Sequence, residues 1–246
     1  MIHEILKTWQ DGTAGMTNES KPSYKCQYCN KEYRKESTLA AHLCEPKRRY
    51  QQEKEVGVQL GFQAYLRFYE LSQGSAKLKT YKDCVESPYY SAFIKYGRHS
   101  QAIRCVNFKS YTEWLLKNNK KLDWWCKDTL YLEWLHQYIR IENVSDAIER
   151  SMNEMQRHAD EVESLQLTDY FRYGNSNKIC FQISNGRVSP WIVFNCDSGI
   201  KFLETLNEEQ LSIILPWIDP DYWQRKFQDY LADREWVNDI LNKNGF

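Results

Sequence analysis

Nowhere do about 18 apolar residues follow one another, the length a helix needs to cross a bilayer. The opening Met1-Ile2-His3-Glu4 also lacks the basic, apolar and small-residue order of a secretory leader. These two absences predict an intracellular protein that neither spans a membrane nor is secreted. An excess of charge of one sign is missing as well: 33 Lys and Arg balance 33 Asp and Glu. Any contact with nucleic acid must then come from a local basic patch and not from a global field. There is no phosphate-cradling glycine loop, no nucleophile elbow and no internal repeat. His3, His99, His136 and His158 form no metal-ligand pair in sequence. With no catalytic signature and no small-molecule site indicated, the expectation is a protein that is not an enzyme.

The 246 residues suffice for one large domain or two small ones, with 42% apolar residues to build a core. Nine Trp and seventeen Tyr predict a core of large rings, and a mean hydropathy of −0.72 predicts a well-solvated surface. Of eight cysteines, five (Cys84, Cys105, Cys126, Cys180 and Cys196) are widely spaced among apolar or aromatic neighbours and read as buried free thiols. The charge is unevenly spread. Lys25, Lys31, Arg34, Lys35, Lys47, Arg48 and Arg49 outnumber Glu32, Glu36 and Glu45, whereas acids crowd the last forty residues.

Residues 1–23 carry a short amphipathic piece from Ile2 to Trp9 and then Gly, Ser, Asn and Pro without periodicity, a flexible lead. Residues 24–49 form a separate small unit. From Pro46 the spacing of Tyr50, Val58, Phe62, Tyr65, Leu66 and Tyr69 predicts one amphipathic helix ending near Gly74, so that 50–75 connects the unit to the body. Over 76–167 the period stays helical and predicts four or five packed helices. The region 168–246 changes character: alternation through Ile179, Phe181 and Ile183, an Asn185-Gly186 turn and Ile192-Val193-Phe194 predict a β-hairpin. Short helices over 200–206 and 208–218 follow, the second capped by Asn207, and a last helix starts at Pro220.

The small unit carries the chemistry. Two residues separate Cys26 from Cys29, a spacing that lets one tight turn aim two thiolates at a tetrahedral ion, and twelve separate Cys29 from His42. Tyr33 and Leu39 lie between, where so small a unit needs its hydrophobic contacts. Cys44 is the nearby fourth donor. Positions two apart on an ideal helix point about 200° apart, so the helix must unwind at His42 for Cys44 to reach the ion. Pro46, by disfavouring helical geometry at Glu45, favours such a break. A segment this short and polar must take its stability from the metal.

Over Tyr24 to His42 the sequence resembles the two-Cys, two-His zinc fingers, with Cys44 in place of the second histidine. The resemblance implies a ββα finger holding one structural Zn2+ through Cys26, Cys29, His42 and Cys44. It also places Lys35, Thr38 and Ala41 at the base-contacting positions. Lysine and threonine can reach base edges, alanine offers at most a methyl contact, and one finger covers about three base pairs. Lys47, Arg48 and Arg49 read as phosphate contacts with little sequence information. The fold class is then mainly α with a small β-hairpin element (α+β), the finger joined by a helix to an aromatic-rich helical body. Taken whole, the chain also resembles single-finger proteins of tailed bacteriophages, through the Cys-x-x-Cys, the Tyr and the His-x-Cys-Glu-x-Lys-Arg-Arg ending of 24–49 and the general texture of Ser87 to Gly97 and Lys117 to Asp128, which implies a viral protein in a bacterial cytoplasm.

Three functions follow as expectations. The first is an accessory protein that binds nucleic acid, DNA more than RNA, through Lys35, Thr38, Lys47, Arg48 and Arg49 and recruits a protein partner. The second is an adaptor whose finger docks a protein. The third is a phage nuclease-like enzyme whose acidic site the sequence does not identify; Asp123, Asp128 and Glu133 beside Trp124 and Trp125 resemble a magnesium-binding carboxylate set but read more simply as solvated acids flanking buried tryptophans. Ser87 to Arg98 combines rings with Lys95 and Arg98, a composition suited to core packing or to stacking on bases.

Overall fold

The computed structural model describes residues 23–74, 78–162 and 165–246; the lead expected over 1–23 lies, Ser23 apart, outside them. Strands β1 (Tyr24–Lys25) and β2 (Glu32–Tyr33) pair antiparallel, Tyr24 opposite Tyr33 and Lys25 opposite Glu32. Three helices follow: α1 (Glu36–Ala41), α2 (Glu45–Gln51) and α3 (Val56–Gln73). The single helix expected from Pro46 to Gly74 is therefore two. Between Tyr50 and Val56 the chain reads Gln-Gln-Glu-Lys-Glu, which gives a continuous helix no apolar face to bury, and Glu55 is extended (φ −65°, ψ 134°). The break turns α2 onto α4 (Tyr81–Glu86).

The body continues with α5 (Tyr90–Ala102), α6 (Phe108–Lys117), α7 (Asp128–Ile141) and α8 (Val144–Glu161), with a 3-10 turn over Leu122–Trp124. Polar side chains fix their starts. Thr80 and Asp83 form a reciprocal capping box at α4, and Asn107 and Asn143 accept the first free amides of α6 and α8. The closest crossing is α3 on α5. It depends on glycine: a Cβ on Gly97 would lie 2.1 Å from the Gly57 carbonyl oxygen and 2.2 Å from the Gly61 nitrogen.

The hairpin expected over 178–196 is a correction. That stretch folds as α10 (Ser176–Ser184) and α11 (Pro190–Asn195), preceded by α9 (Tyr170–Tyr173). Ile179, Cys180, Gln182 and Ile183 are buried while Phe181 is exposed, a helical and not an alternating face. Asn185-Gly186 is a helix end: the Gly186 amide donates to Ile183 and the Arg187 amide to Gln182, with Gly186 left-handed at φ +66°. These are the paired bonds of a Schellman terminus, and glycine serves it as readily as it serves a hairpin turn.

The chain ends with α12 (Asp197–Glu204), α13 (Glu208–Ile214), α14 (Pro220–Asp229) and α15 (Leu231–Lys243). Asn207 caps α13 as expected, in a capping box with Gln210. The last helix breaks at Tyr230, whose backbone leaves the helical region (φ −120°, ψ 55°), and Trp223 and Phe227 before the break and Val237 and Leu241 after it are all buried. Buried residues from Val58 to Leu241 form one contiguous core. Its centre is a chain of rings, Phe93, Trp125, Tyr96, Tyr111 and Trp134, with neighbouring centroids 5.0–6.0 Å apart. The protein is mainly helical, with one small antiparallel pair of strands among the described residues. Among them no helix is long and apolar enough to cross a membrane.

Candidate metal centre

The turn between β1 and β2 is closed by two backbone bonds, the Cys26 amide to Lys31 (2.9 Å) and the Asn30 amide to Cys26 (2.8 Å). Asn30 is left-handed (φ 59°), a conformation asparagine tolerates better than most residues. This turn puts Cys26 and Cys29 on one side. Across it α1 ends at Ala41, and the backbone becomes extended at His42 (φ −70°, ψ 123°) and at Cys44 (φ −89°, ψ 163°). The unwinding required for Cys44 to turn inward is thus present. Its cause differs from expectation, since Glu45 begins α2 and Pro46 sits in that helix's first turn, where its missing N–H costs nothing. The break lies upstream, at His42 to Cys44.

The result brings four donors together. Sγ of Cys26, Cys29 and Cys44 and a ring nitrogen of His42 all lie within 4.8 Å of one another, so these residues could hold one metal ion. Cys26 and Cys44 sulfurs are 3.9 Å apart, well beyond a disulfide, and Cys29 Sγ is 3.3 Å from His42 Nε2. Burial alone would raise the Cys26 thiol, but amides of Cys29 and Tyr28 and the neighbouring sulfurs hold it below its usual value. At Cys29 the Lys31 amide lowers the thiol, and burial together with the other two sulfurs outweighs it and raises it. Three thiols competing for charge in one small volume is the condition that a cation relieves.

The surroundings brace this geometry. The Tyr33 ring lies 4.9 Å from the His42 ring, and Lys47 Nζ donates to the His42 carbonyl at 2.9 Å, holding the unwound turn. Arg48 pairs with Glu45. Arg49 turns the other way: it bonds Glu45 (3.2 Å), donates to the Val85 carbonyl (2.5 Å) and lies 4.3 Å from the centre of the Tyr90 ring. Tyr81 donates to the Arg49 carbonyl, and Tyr50 touches both Tyr28 and Tyr81. Arg49 and Tyr50 therefore seat the small unit on α4 and α5, a role its sequence position did not disclose, because the partners lie more than thirty residues away.

Lys35, the N-cap of α1, and Thr38 and Ala41 on that helix are exposed, as are Lys25, Lys31 and Arg34 nearby. In the body, Tyr96 is fully buried against Thr112, and Arg98 pairs with Glu55 at 2.7 Å, so the ring-rich stretch of α5 packs the core. Asp123, Asp128 and Glu133 do not converge. Glu133 is held by Lys120 at 3.3 Å, Asp128 faces His99 at 3.8 Å, and Asp123 is exposed. Trp125 is buried, whereas Trp124, expected to be buried, is 43% exposed between Lys121 and Lys127. Among the described residues, Cys26, Cys29, His42 and Cys44 are the one His, Cys, Asp or Glu group spaced to hold an ion. The five other cysteines are free thiols; Cys84, Cys180 and Cys196 are buried, Cys105 and Cys126 half-buried, and burial pushes Cys84 and Cys105 up to about 12.

No family model, curated protein or solved structure matches the chain.

Proposed function

We propose that this is a zinc-finger accessory protein that binds nucleic acid, DNA in preference to RNA, through backbone contacts of low sequence specificity, while its helical body recruits a protein partner. The metal is zinc. Three thiolates and one imidazole are its structural ligand set, and its bond lengths put ligand atoms about 3.5–3.8 Å apart in a tetrahedron, close to the 3.9 and 3.3 Å between donor pairs here. A closed set of four leaves no position for a reacting water, so the ion supports folding and not catalysis. The resemblance to single-finger phage proteins fits a role in a bacterial cytoplasm.

The observation that carries this reading is the orientation of the finger. Its α2 side is fixed to the body through Arg49 and Tyr50, and its α1 side leaves Lys35, Thr38, Arg34 and Lys31 exposed. Arg48, exposed on α2, is paired with Glu45, Lys47 holds the His42 carbonyl, and Arg49 is anchored on the body. Phosphate neutralisation by such residues makes affinity fall steeply with salt. The test is fluorescence anisotropy with single- and double-stranded DNA and RNA across a salt series, comparing the wild type with Lys31→Gln/Lys35→Gln. Expected are salt-sensitive binding and a shallower salt slope in the double variant. Absence of binding to all polymers, or a slope unchanged by the substitutions, would reject the reading and leave protein docking for the finger.

A further inference from the structure

A cavity of about 560 Å³ opens between α3, α5 and α8, and Phe108 in its lining stacks on Tyr96 of the ring core. Its volume lies in the range of small-molecule sites, about 300–1,000 Å³. Its polar lining is unusual in being cationic: Arg104, Arg157 and Arg187 surround one buried acid, Glu154. Arg104 Nη2 is 2.5 Å from Glu154 Oε2, Arg157 bonds the other carboxylate oxygen, and Gln182 donates to that oxygen at 2.7 Å. Glu154 is saturated. Arg157 also stands 4.0 Å from Glu161, but Lys178 holds that carboxylate at 2.7 Å. Four cations, Arg104, Arg157, Arg187 and Lys178, thus face two carboxylates. Arg150 also lines the cavity, but Glu142 neutralises it through two bonds.

Arg187 has no acid of its own. One Nη donates to the Ile103 carbonyl at 3.3 Å, and its buried Nε has no partner. A buried guanidinium donor left unbonded costs free energy. Burial, with the Arg104 charge beside it, holds the Arg187 guanidinium below its ordinary value against the opposing pull of Glu154. Arg104 adds a second irregularity. It is left-handed (φ 52°) at the C-terminus of α5, with its amide bonded to Gln101 and the Cys105 amide to Ser100. Glycine suits that position best, and a strained arginine there is compatible with a functional requirement for the side chain. Val56, Leu60 and Phe108 add apolar surface to the lining.

We propose that this cavity binds a phosphate monoester of nucleotide size, its dianion held by Arg187, Arg157 and Arg104 and its body covered by Val56, Leu60 and Phe108. Planar guanidinium forks match phosphate oxygens in pairs, which makes arginine better suited to this role than lysine. The site is separate from the finger and does not depend on the nucleic-acid reading.

Isothermal titration calorimetry on the full zinc-loaded chain, at fixed ionic strength, with AMP and with inorganic phosphate, tests this. Expected is saturable binding of AMP, tighter than of inorganic phosphate. Arg187→Gln should weaken it about tenfold to a hundredfold, the loss of one charge-assisted bond. Arg157→Gln, at a more exposed position, should weaken it too if Arg187→Gln fails to fold. Lys31→Gln/Lys35→Gln should bind AMP as the wild type does, which separates this site from the finger. No saturable AMP binding, equal affinity in both arginine variants, or equal affinity for AMP and inorganic phosphate would overturn the proposal. So would nucleic-acid binding lost in Arg187→Gln without AMP binding, which would make the cavity part of a polymer path.

Discussion

Replacing Gly97 by alanine should destabilise the protein even though alanine is the better helix former. The added Cβ would lie 2.1 Å from the Gly57 oxygen, 2.2 Å from the Gly61 nitrogen and 2.8 Å from the Gly61 Cα. All three are backbone atoms, so no side chain can swing aside, and α3 and α5 must part by about 1 Å or more. Overpacking of this kind costs about 1–3 kcal/mol, occasionally more, and a backbone-on-backbone clash belongs at the upper end. Helix propensity returns about 1 kcal/mol. The net loss is then about 2 kcal/mol, and at about 2–4 °C per kcal/mol for a chain of this size Tm should fall by about 4–8 °C. Thermal unfolding followed by circular dichroism measures it, with urea unfolding as a second estimate. A Tm equal to or above that of the wild type would show that propensity decides and that the close crossing does not hold the body together.

Arg49→Ala should loosen the finger from the body without emptying its metal site, because Arg49 contacts Val85, Tyr90 and Glu45 but no ligand. Faster amide exchange over 45–55 at unchanged zinc content would show this, and unchanged exchange would refute it. His158 is buried against Tyr170 with neither ring nitrogen bonded, and burial, helped by Lys178, lowers its pKa. The unfolded chain therefore takes up this proton first. The stability His158 contributes is complete above its unfolded pKa of about 6.5 and is lost as pH falls from there through the folded pKa, with a slope of at most about 1.4 kcal/mol per pH unit. His99, lowered chiefly by burial, acts in the same direction. His158→Phe should accordingly reduce the loss of stability between pH 7 and pH 5 in urea titrations, and an unchanged pH profile would contradict the assignment.

The metal donors were legible because their chemistry is local: Cys26, Cys29, His42 and Cys44 fall within nineteen residues, and only a break at His42 was needed to join them. Element type was legible where periodicity ran long, as in the helices from Tyr81 to Glu161 and the Asn207 cap of α13. It failed at 178–196, where Asn185-Gly186 ends a helix through the same left-handed glycine that a hairpin would use. The break after Gln51 falls in the polar run 51–55, across which the apolar spacing was carried through, and the break at Tyr230 was hidden because Trp223, Phe227, Val237 and Leu241 keep to one helical face across it. Arg49 on Val85 and the Arg104, Arg157 and Arg187 cluster join residues 30 to 83 positions apart. No local pattern announces such contacts; they exist only once the helices are packed.

Zinc content and nucleic-acid affinity measured on the same preparation, before and after chelation, test the central claim most directly, since on the proposed reading the metal holds the small unit while the body has its own core. The account predicts one zinc per chain, salt-sensitive binding, and loss of both on chelation or in Cys44→Ser while the helical circular-dichroism signal of the body persists. Nucleic-acid binding that survives removal of the metal, or a chain that takes up no zinc, would contradict it.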